Sequence, residues 1–380
     1  MRRARTALES DMADAWYPRM AAVVSGRTGP LDSVHMRSPI RYLAADEVAA
    51  AMPSVADRLD LAQRTMTALV ADAELPPKIG VHPRPAGSFA HAMPAALRPA
   101  AGTDADDDLL GIKWVAGFPQ NRASGIPAIH AIVVLSDPAT GEPRAILDGA
   151  PITAERTAAV SGVAIARFGP LAAATVGADD HAPRATIIGA GVQGLSHLAI
   201  LGHTLPGVAL TIVDRHPDRA EALAEVARAT PGIGSARAAT TTTGADEPRA
   251  ATLDADVVIT ATTFTDPAHR QVMDGSWLAP DALVVAVDYA TMCAASVARD
   301  AALFLVDDRG QFLANRDAGQ FDDYPDPSAT IGEAILAGTT RPPRGRVVVT
   351  HLGVGLADVL FADAIVRRAE AAGLGTMLAR

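Results

Sequence analysis

Short apolar runs, most of them with β-branched residues, recur through the second half of the chain. They lie at residues 185–188, 210–213, 257–261, 283–287, 302–306 and 347–350, and helical patterns follow the first two at residues 192–201 and 217–229. Strands that are apolar on both faces are typical of a parallel sheet covered by helices. The alternation of strands and helices therefore predicts an α/β, doubly wound parallel domain of the Rossmann type over residues 169–355.

The first half of the chain has a different pattern. Near-helical spacing predicts a helix over residues 45–72, and an Ala-rich segment predicts another over residues 152–167, with Thr153 as N-cap. Between them, short β-like runs at residues 89–93, 110–115, 129–135 and 144–147 are separated by turn signals and predict an antiparallel sheet. With a final helix predicted over residues 356–378, we expect residues 41–168 and 356–380 to form an α+β domain. Residues 1–40 are predicted to be an N-terminal extension.

Composition narrows the possible function classes. Hydrophobic residues make up 49% of the chain and charged residues 20%, which is enough for a packed core. The formal net charge of −10 argues against a nucleic-acid-binding surface. No apolar run reaches the roughly 18 residues of a membrane span, and Glu9, Asp11 and Asp14 interrupt any signal-peptide stretch. We expect a cytoplasmic protein that binds neither nucleic acid nor membrane.

Cysteine and histidine usage gives no sign of a metal centre. The single cysteine, Cys293, excludes a multi-thiolate site. Histidines such as His82, His91 and His197 show no paired ligand spacing, so we expect no metal and assign these histidines to packing or surface roles.

Lysine is rare in this chain. Only Lys78 and Lys113 occur among the 33 Lys and Arg residues. Unlike arginine, a lysine can lose its proton when it is buried, and its compact ammonium fits beside a small carboxylate. The two lysines are therefore candidates for chemistry, with chance retention on the surface as the alternative.

A GxGxxG motif occupies residues 189–194, directly after the predicted strand 185–188 and at the start of the predicted helix. In this context Gly189 permits a tight turn, Gly191 lets the backbone approach a pyrophosphate, and Gly194 allows close helix–strand packing. The start of the helix would bind the phosphates. The motif therefore predicts dinucleotide binding.

Asp214 ends the next predicted strand, where a carboxylate would bind the adenosine ribose and repel a 2′-phosphate. This favours NAD(H) over NADP(H), although Arg215 and Arg219 lie nearby and leave NADP(H) open. The alternative role for Asp214 is to cap the following helix.

Four segments together resemble the ornithine cyclodeaminase/μ-crystallin family. In chain order they are GIKWVAGFPQNRASGIP at 111–127, DPATGEP at 137–143, ITAERTAA at 152–159 and the glycine motif at 189. The resemblance runs from about Tyr42 to the C-terminus.

The resemblance implies roles position by position. Lys113 matches the family's active-site lysine, and Lys78 lies where the family has a substrate-binding cation. Leu352 falls in the segment that closes over the substrate. Cofactor contacts are implied for Arg156, Gly189, Gly191, Val192, Gln193, Gly194, Asp214, Thr262, Val287 and His351. The family also implies a homodimer paired through the antiparallel sheet of the substrate-binding domain.

One position departs from the family's cyclodeaminases. They carry an acid/base aspartate just beyond the strand predicted at 283–287, where this chain has Ala290. If the strand continues, Asp288, two residues away, points to the same face and is a candidate replacement, the alternative being a carboxylate near ribose or water.

Without the family's aspartate, ring closure lacks a proton-transferring group. We therefore expect NAD(P)H-dependent reduction of a small α-imino acid (ketimine), or oxidation of the matching α-amino acid, by hydride transfer at Cα. An ornithine-cyclodeaminase-type ammonia-lyase with bound NAD and a catalytically impaired μ-crystallin-like binding protein are the alternatives.

Overall fold

The computed structural model describes residues 38–99, 107–170, 182–240 and 246–380. Most of the predicted N-terminal extension, residues 1–37, lies outside this part of the chain. The strands are β1 (Ile40–Leu43), β2 (Ala73–Glu74), β3 (Ile79–Val81), β4 (Phe89–Leu97), β5 (Leu109–Gly117), β6 (Ile129–Ser136), β7 (Pro143–Asp148), β8 (Arg184–Ile188), β9 (Val208–Asp214), β10 (Ile233–Thr240), β11 (Val257–Thr260), β12 (Leu283–Ala286), β13 (Leu303–Val306), β14 (Ala329–Thr330), β15 (Val347–Thr350) and β16 (Thr376–Leu378).

The helices alternate with these strands most regularly in the second half. They are α1 (Ala45–Ala50), α2 (Val55–Ala71), α3 (Gly149–Phe168), α4 (Val192–Thr204), α5 (Pro217–Arg228), α6 (Asp246–Leu253), α7 (Ala295–Arg299), α8 (Arg309–Asp317), α9 (Ile331–Leu336) and α10 (Gly355–Ala372), with short 3-10 turns at Pro119–Ser124, Pro267–His269 and Gly275–Trp277. Among the described helices, none is long and apolar enough to cross a bilayer.

The first sheet has the strand order β16-β1-β7-β6-β5-β4-β2, with β3 also paired to β4. Its neighbours are antiparallel, as predicted, except for β1 and β7, which run parallel. A parallel pair needs a long crossover connection, and residues 44–142 lie between these two strands.

The second sheet has the order β10-β9-β8-β11-β12-β15-β13-β14, and all its pairs are parallel. All residues of β11, β12 and β15 are buried, which fits a sheet with helices on both faces. The predicted doubly wound domain is therefore present. Its edge strand β10 was not predicted, because its sequence is rich in Ala, Gly and Thr rather than large apolar residues.

The single helix predicted over residues 45–72 is two helices. The break falls at Pro53, which cannot continue a helix because it lacks an N–H and its ring clashes with the preceding turn. Ser54 then caps α2 by accepting a hydrogen bond from the Asp57 N–H at 3.2 Å.

The helix predicted over residues 152–167 also differs from expectation. It begins at Gly149, and its N-cap is Asp148 rather than Thr153, since an Asp148 carboxylate oxygen accepts from the Ala150 N–H at 2.9 Å. The Thr153 hydroxyl instead donates back to the Gly149 carbonyl at 2.7 Å.

The final helix is shorter than predicted and is followed by a strand. Gly373 adopts φ 68°, a left-handed conformation that ends α10. Residues 376–378 then pair with β1 as β16, so the chain returns to the first sheet. Helix α10 packs on β4, β5 and β6, whereas α3 packs against α2 and α4 and so joins the two sheets.

Candidate active site

The glycine turn between β8 and α4 leaves the start of α4 open. Gly189 has φ +118°, and a Cβ there would lie 2.4 Å from the Ala261 carbonyl oxygen. A Cβ on Gly191 would meet nothing within 4 Å. Since Gly191 is the N-cap of α4 and has no capping side chain, the first-turn N–H groups face space that a phosphate can fill. The turn therefore fits a dinucleotide.

Asp214 ties this turn to the end of β9. One carboxylate oxygen accepts from the Ala190 N–H at 2.8 Å, and the other accepts from the His216 N–H at 2.8 Å. The N-cap residue of α5 is His216, so Asp214 supports the start of that helix without being its cap. The carboxylate thus stands beside the glycine turn, where the sequence analysis expected it.

Asp288 is buried and holds the turn that follows β11. Its oxygens accept from the Thr260 hydroxyl at 2.7 Å, the Thr262 hydroxyl at 2.6 Å and the Thr262 N–H at 3.1 Å. Burial raises the pKa of Asp288, and these hydrogen bonds oppose the rise. Val287 lies beside it, donating its N–H to the Thr260 carbonyl at 2.9 Å. The contacts give Asp288 a positioning role at this turn; its acid/base role stays a prediction.

Lys113 is buried on β5 with two charged partners. Its Nζ lies 2.6 Å from Oδ2 of Asp358, and Nε of Arg156 donates to the other oxygen of Asp358 at 3.2 Å. Lys113 is 1% exposed and Asp358 is fully buried. Burial and then the Arg156 charge lower the pKa of Lys113 to about 7, against the opposing effect of Asp358. Lys113 can therefore exchange a proton near neutral pH.

Residues 351–355, which we call the closing segment, are held over this ion pair. Lys78 donates from Nζ to the Leu352 carbonyl at 2.7 Å. Gly353 donates its N–H to the buried Asp307 carboxylate at 2.7 Å. Gly353 has φ +79°, and a Cβ there would lie 2.3 Å from a guanidinium nitrogen of Arg156. Only glycine lets the segment lie this close to Arg156.

A buried chain of hydrogen bonds links the closing segment to α4. The Ser161 hydroxyl lies 2.9 Å from Nε2 of His351 and 2.8 Å from Nε2 of His197, whose Nδ1 lies 2.5 Å from the Gln193 carbonyl. Burial lowers the pKa of His197 to about 4 and of His351 to about 3, so both rings are neutral at pH 7. We call these four residues the imidazole relay.

The relay fixes the tautomer of each ring. Because the Gln193 carbonyl only accepts, Nδ1 of His197 carries the proton and its Nε2 accepts from Ser161. Ser161 has one proton to give, so Nε2 of His351 must donate to Ser161. His351 then presents Nδ1 as an acceptor, and this buried atom has no hydrogen-bond partner among the described residues.

The structure brings the predicted residues together in two groups. Lys78, Lys113, Arg156 and Leu352 meet on the inner face of the first sheet. The glycine turn, Asp214, Thr262 and Asp288 meet at the carboxyl ends of the parallel strands. The exposed Val192 and the half-buried Gln193 form the first turn of α4. No cluster of metal-ligating side chains occurs in the part of the chain that the structure describes.

Several residues of the site were not predicted. Asp358, Asp307 and Ser161 were overlooked, and His197 was assigned to ordinary packing. A usable signal existed for Asp358, since it is a carboxylate in an apolar helical segment, and a buried charge needs a partner.

A family model described as the ornithine cyclodeaminase/mu-crystallin family matches residues 45–340. The chain belongs to this family. The resemblance carried by the four motifs is therefore confirmed, and so is the predicted fold class.

Individual members of the family cover different shares of the chain. Nodulation efficiency protein NfeD of Rhizobium meliloti is 32% identical over 349 residues, which cover 90% of this chain and 99% of NfeD. The mouse ketimine reductase mu-crystallin is 31% identical over 183 residues, which cover 48% of this chain and 51% of that protein. A solved structure of Thermococcus litoralis Delta(1)-pyrroline-2-carboxylate reductase with NADH and L-proline has a TM-score of 0.72 at 24% identity, covering 89% of this chain and 99% of the other, and shows the same fold.

Proposed function

We propose that the protein is an NAD(P)H-dependent oxidoreductase that reduces a small α-imino acid to the α-amino acid. The observation that carries the proposal is the buried Lys113 ammonium, which shares Asp358 with Arg156 beside Lys78. Two ammonium groups suit an α-carboxylate, and one of them titrates near neutral pH. The family relationship supports the same chemistry, since the mouse relative is a ketimine reductase.

The roles of the residues follow from their positions. Lys78 and Lys113 bind the substrate carboxylate and hold the imine carbon towards the cofactor cleft. When bound, the nicotinamide supplies a hydride to Cα. Lys113, in its protonated form, gives the proton from Nζ to the imine nitrogen, so that one hydride and one proton convert C=N to CH–NH. Asp358 and Arg156 hold the neutral Lys113 amine in place after it has given up its proton, and the closing segment excludes water from the site.

We propose NADH rather than NADPH as the reductant. Asp214 stands beside the glycine turn, where its charge repels a 2′-phosphate. Arg215 and Arg219 are exposed, and Arg215 donates from Nε to Nε2 of His216 at 3.2 Å, so one of the two arginines near Asp214 is already engaged. A cytoplasmic location, where this reductant is available, is part of the proposal.

The function is tested by NADH oxidation with a cyclic imine, 1-pyrroline-2-carboxylate, and by NADPH in parallel. The wild type should reduce the imine, and Lys113→Ala should lower kcat by about 10²–10⁴-fold, because the proton donor is gone. NADH affinity, measured by fluorescence titration, should stay within about twofold, since Lys113 is not at the glycine turn. Loss of NADH binding in this variant would mean that the lysine belongs to the cofactor site.

A lyase assay tests the runner-up. The protein is incubated with NAD⁺ and L-ornithine, and proline and ammonia are measured. A net formation of both without added reductant would assign the protein to the cyclodeaminases. We expect none, because Ala290 offers no proton-transferring group and both Asp288 oxygens already accept from Thr260 and Thr262.

We also propose a homodimer that pairs through the outer face of the first sheet. Trp114, Ile132 and Leu110 are 44%, 43% and 37% exposed on this face, and Trp114 lies directly opposite Ile132 in the register of β5 and β6. A contiguous exposed apolar patch on a sheet is typical of a protein–protein interface. A second copy of the chain would cover it without blocking the lysines, which lie on the inner face.

A further inference from the structure

The inner face of the first sheet is organised in rows across β3, β4 and β5. Met93 pairs with Lys113 on one side. On the other side Ile79 pairs with Ala92, which places Lys78 opposite Met93. The two lysines therefore flank Met93 in a single row, beneath the closing segment, where a Cβ on Gly355 would contact Met93.

His91 is the centre of the next row. It lies between Gly80 on β3 and Val115 on β5. Gly80 leaves the space that the imidazole occupies, because a Cβ there would lie 3.1 Å from the ring. The ring also stacks on Phe89, with centroids 4.7 Å apart and an interplanar angle of 30°. His91 is thus held on the lysine face, about 7 Å along the strand from Met93.

The imidazole is half-buried, and neither ring nitrogen has a hydrogen-bond partner among the described residues. The charges that act on it are cationic. Burial first, and then Lys78, His82 and Lys113, lower the pKa of His91 to about 4. The buried carboxylates of this region are already engaged: Asp358 is shared by Lys113 and Arg156, and Asp307, which also feels the Lys78 charge, accepts from the Gly353 N–H. The His91 end of the face therefore has cations and an available N–H donor but no anion of its own.

We propose that His91 binds a second carboxylate, at the far end of the substrate side chain, so that the preferred substrates are α-imino dicarboxylic acids. This inference rests on the proposed reductase function. With the α-carboxylate bound between the two lysines, a substrate of about five carbons is long enough to place its second carboxylate at His91 in the next row. The distance is bridged because the lysine side chains and the imidazole extend towards the substrate from its two ends. The second carboxylate would offset the repulsion between Lys78 and Lys113, and Phe89 would cover the intervening methylene groups.

The test compares two keto acids that differ only at the far end. With ammonium and NADH, 2-oxoglutarate gives an imino dicarboxylate and 2-oxopentanoate gives an imino monocarboxylate with the same number of carbons. In each case the imine carbon takes a hydride and its nitrogen a proton. We expect the wild type to have the higher kcat/KM with 2-oxoglutarate.

Substitution of His91 then assigns the preference. His91→Leu should lower kcat/KM for 2-oxoglutarate by about 10–100-fold and leave that for 2-oxopentanoate within about threefold. His91→Gln, which keeps an N–H donor, should retain part of the preference. His203→Gln, at the exposed end of α4, is the matched control and should behave like wild type. NADH affinity in each variant reports on folding.

Three results would overturn the inference while leaving the proposed function intact. They are a wild-type preference for 2-oxopentanoate, unchanged kcat/KM values on both substrates in His91→Leu, and equal losses on both substrates, which would make the ring a wall of the pocket. Failure of the wild type to reduce any imine, cyclic or formed from a keto acid, would instead remove the proposed function.

Discussion

Lys113 shows how a single buried side chain acquires a function from its surroundings. Its pKa falls to about 7 because burial and Arg156 disfavour the charged form more than Asp358 favours it. Imine reduction needs the protonated amine. We therefore expect kcat/KM for reduction to be constant below pH 7 and to fall about tenfold per unit above it, whereas amine oxidation, which needs the neutral amine, should rise up to pH 7 and then level off.

A pH series with 1-pyrroline-2-carboxylate checks this expectation, and Lys113→Arg is the control. A guanidinium stays protonated throughout, so any residual activity of that variant should lack the alkaline fall. If the fall persists in Lys113→Arg, the titrating group is elsewhere, for example on the substrate.

At the scale of secondary-structure elements, α3 connects the two halves of the site. Its Ser161 is the central member of the imidazole relay between α4 and the closing segment. Ser161→Ala removes the hydroxyl that fixes the His351 tautomer. We expect the KM for the imine to rise about 3–10-fold, with NADH affinity little changed, because the closing segment loses an anchor while the glycine turn does not.

A spectroscopic readout separates this effect from general destabilisation. In ¹⁵N–¹H spectra of the histidine rings, wild-type His351 should carry its proton on Nε2, and Ser161→Ala should abolish that fixed tautomer. Thr65→Ala is the matched control, since it removes a buried hydroxyl that bonds within α2 to the Leu61 carbonyl at 2.7 Å. The same shift in both variants would contradict the relay.

The elements themselves were largely predictable from the sequence. Parallel strands such as β15 were found because both faces are buried and three of its four residues are valine. Errors arose where one residue overrides a periodic pattern, as Pro53 does in splitting α1 from α2 and as Gly373 does in ending α10. Strand β16 was missed because its partner, β1, lies at the other end of the described chain, and no local pattern reports such a pairing.

At the scale of the whole molecule, the proposed dimer can be tested by placing a charged residue in its interface. Trp114→Glu should convert the protein to a monomer in light scattering after gel filtration, because an isolated carboxylate would be buried at the centre of the interface. Val226→Glu, on the exposed side of α5, is the control and should leave the oligomeric state unchanged. A wild-type monomer, or a Trp114→Glu dimer, would contradict this interface.

The assembled site was less predictable than the fold. Lys78 and Lys113 stood out by their rarity, and the glycine turn by its motif, because both signals are local. Lys113 pairs with Asp358, which is far away in the sequence, and no pattern around either residue predicts this contact. Likewise, the roles proposed for His91 and His197 depend on the strands and helices packed around them, so the sequence near each residue does not predict them.

The return of the last helix to the first sheet has a consequence for biosynthesis. Asp358 lies on α10, so a nascent chain that has made every strand except β16 still lacks the carboxylate that pairs with Lys113. Without that carboxylate, burial and Arg156 act unopposed and favour the neutral amine, which cannot give the proton that the proposed reduction needs. A protein truncated before residue 355 would lose this partner together with the twelve buried residues of α10, and we expect it to be inactive.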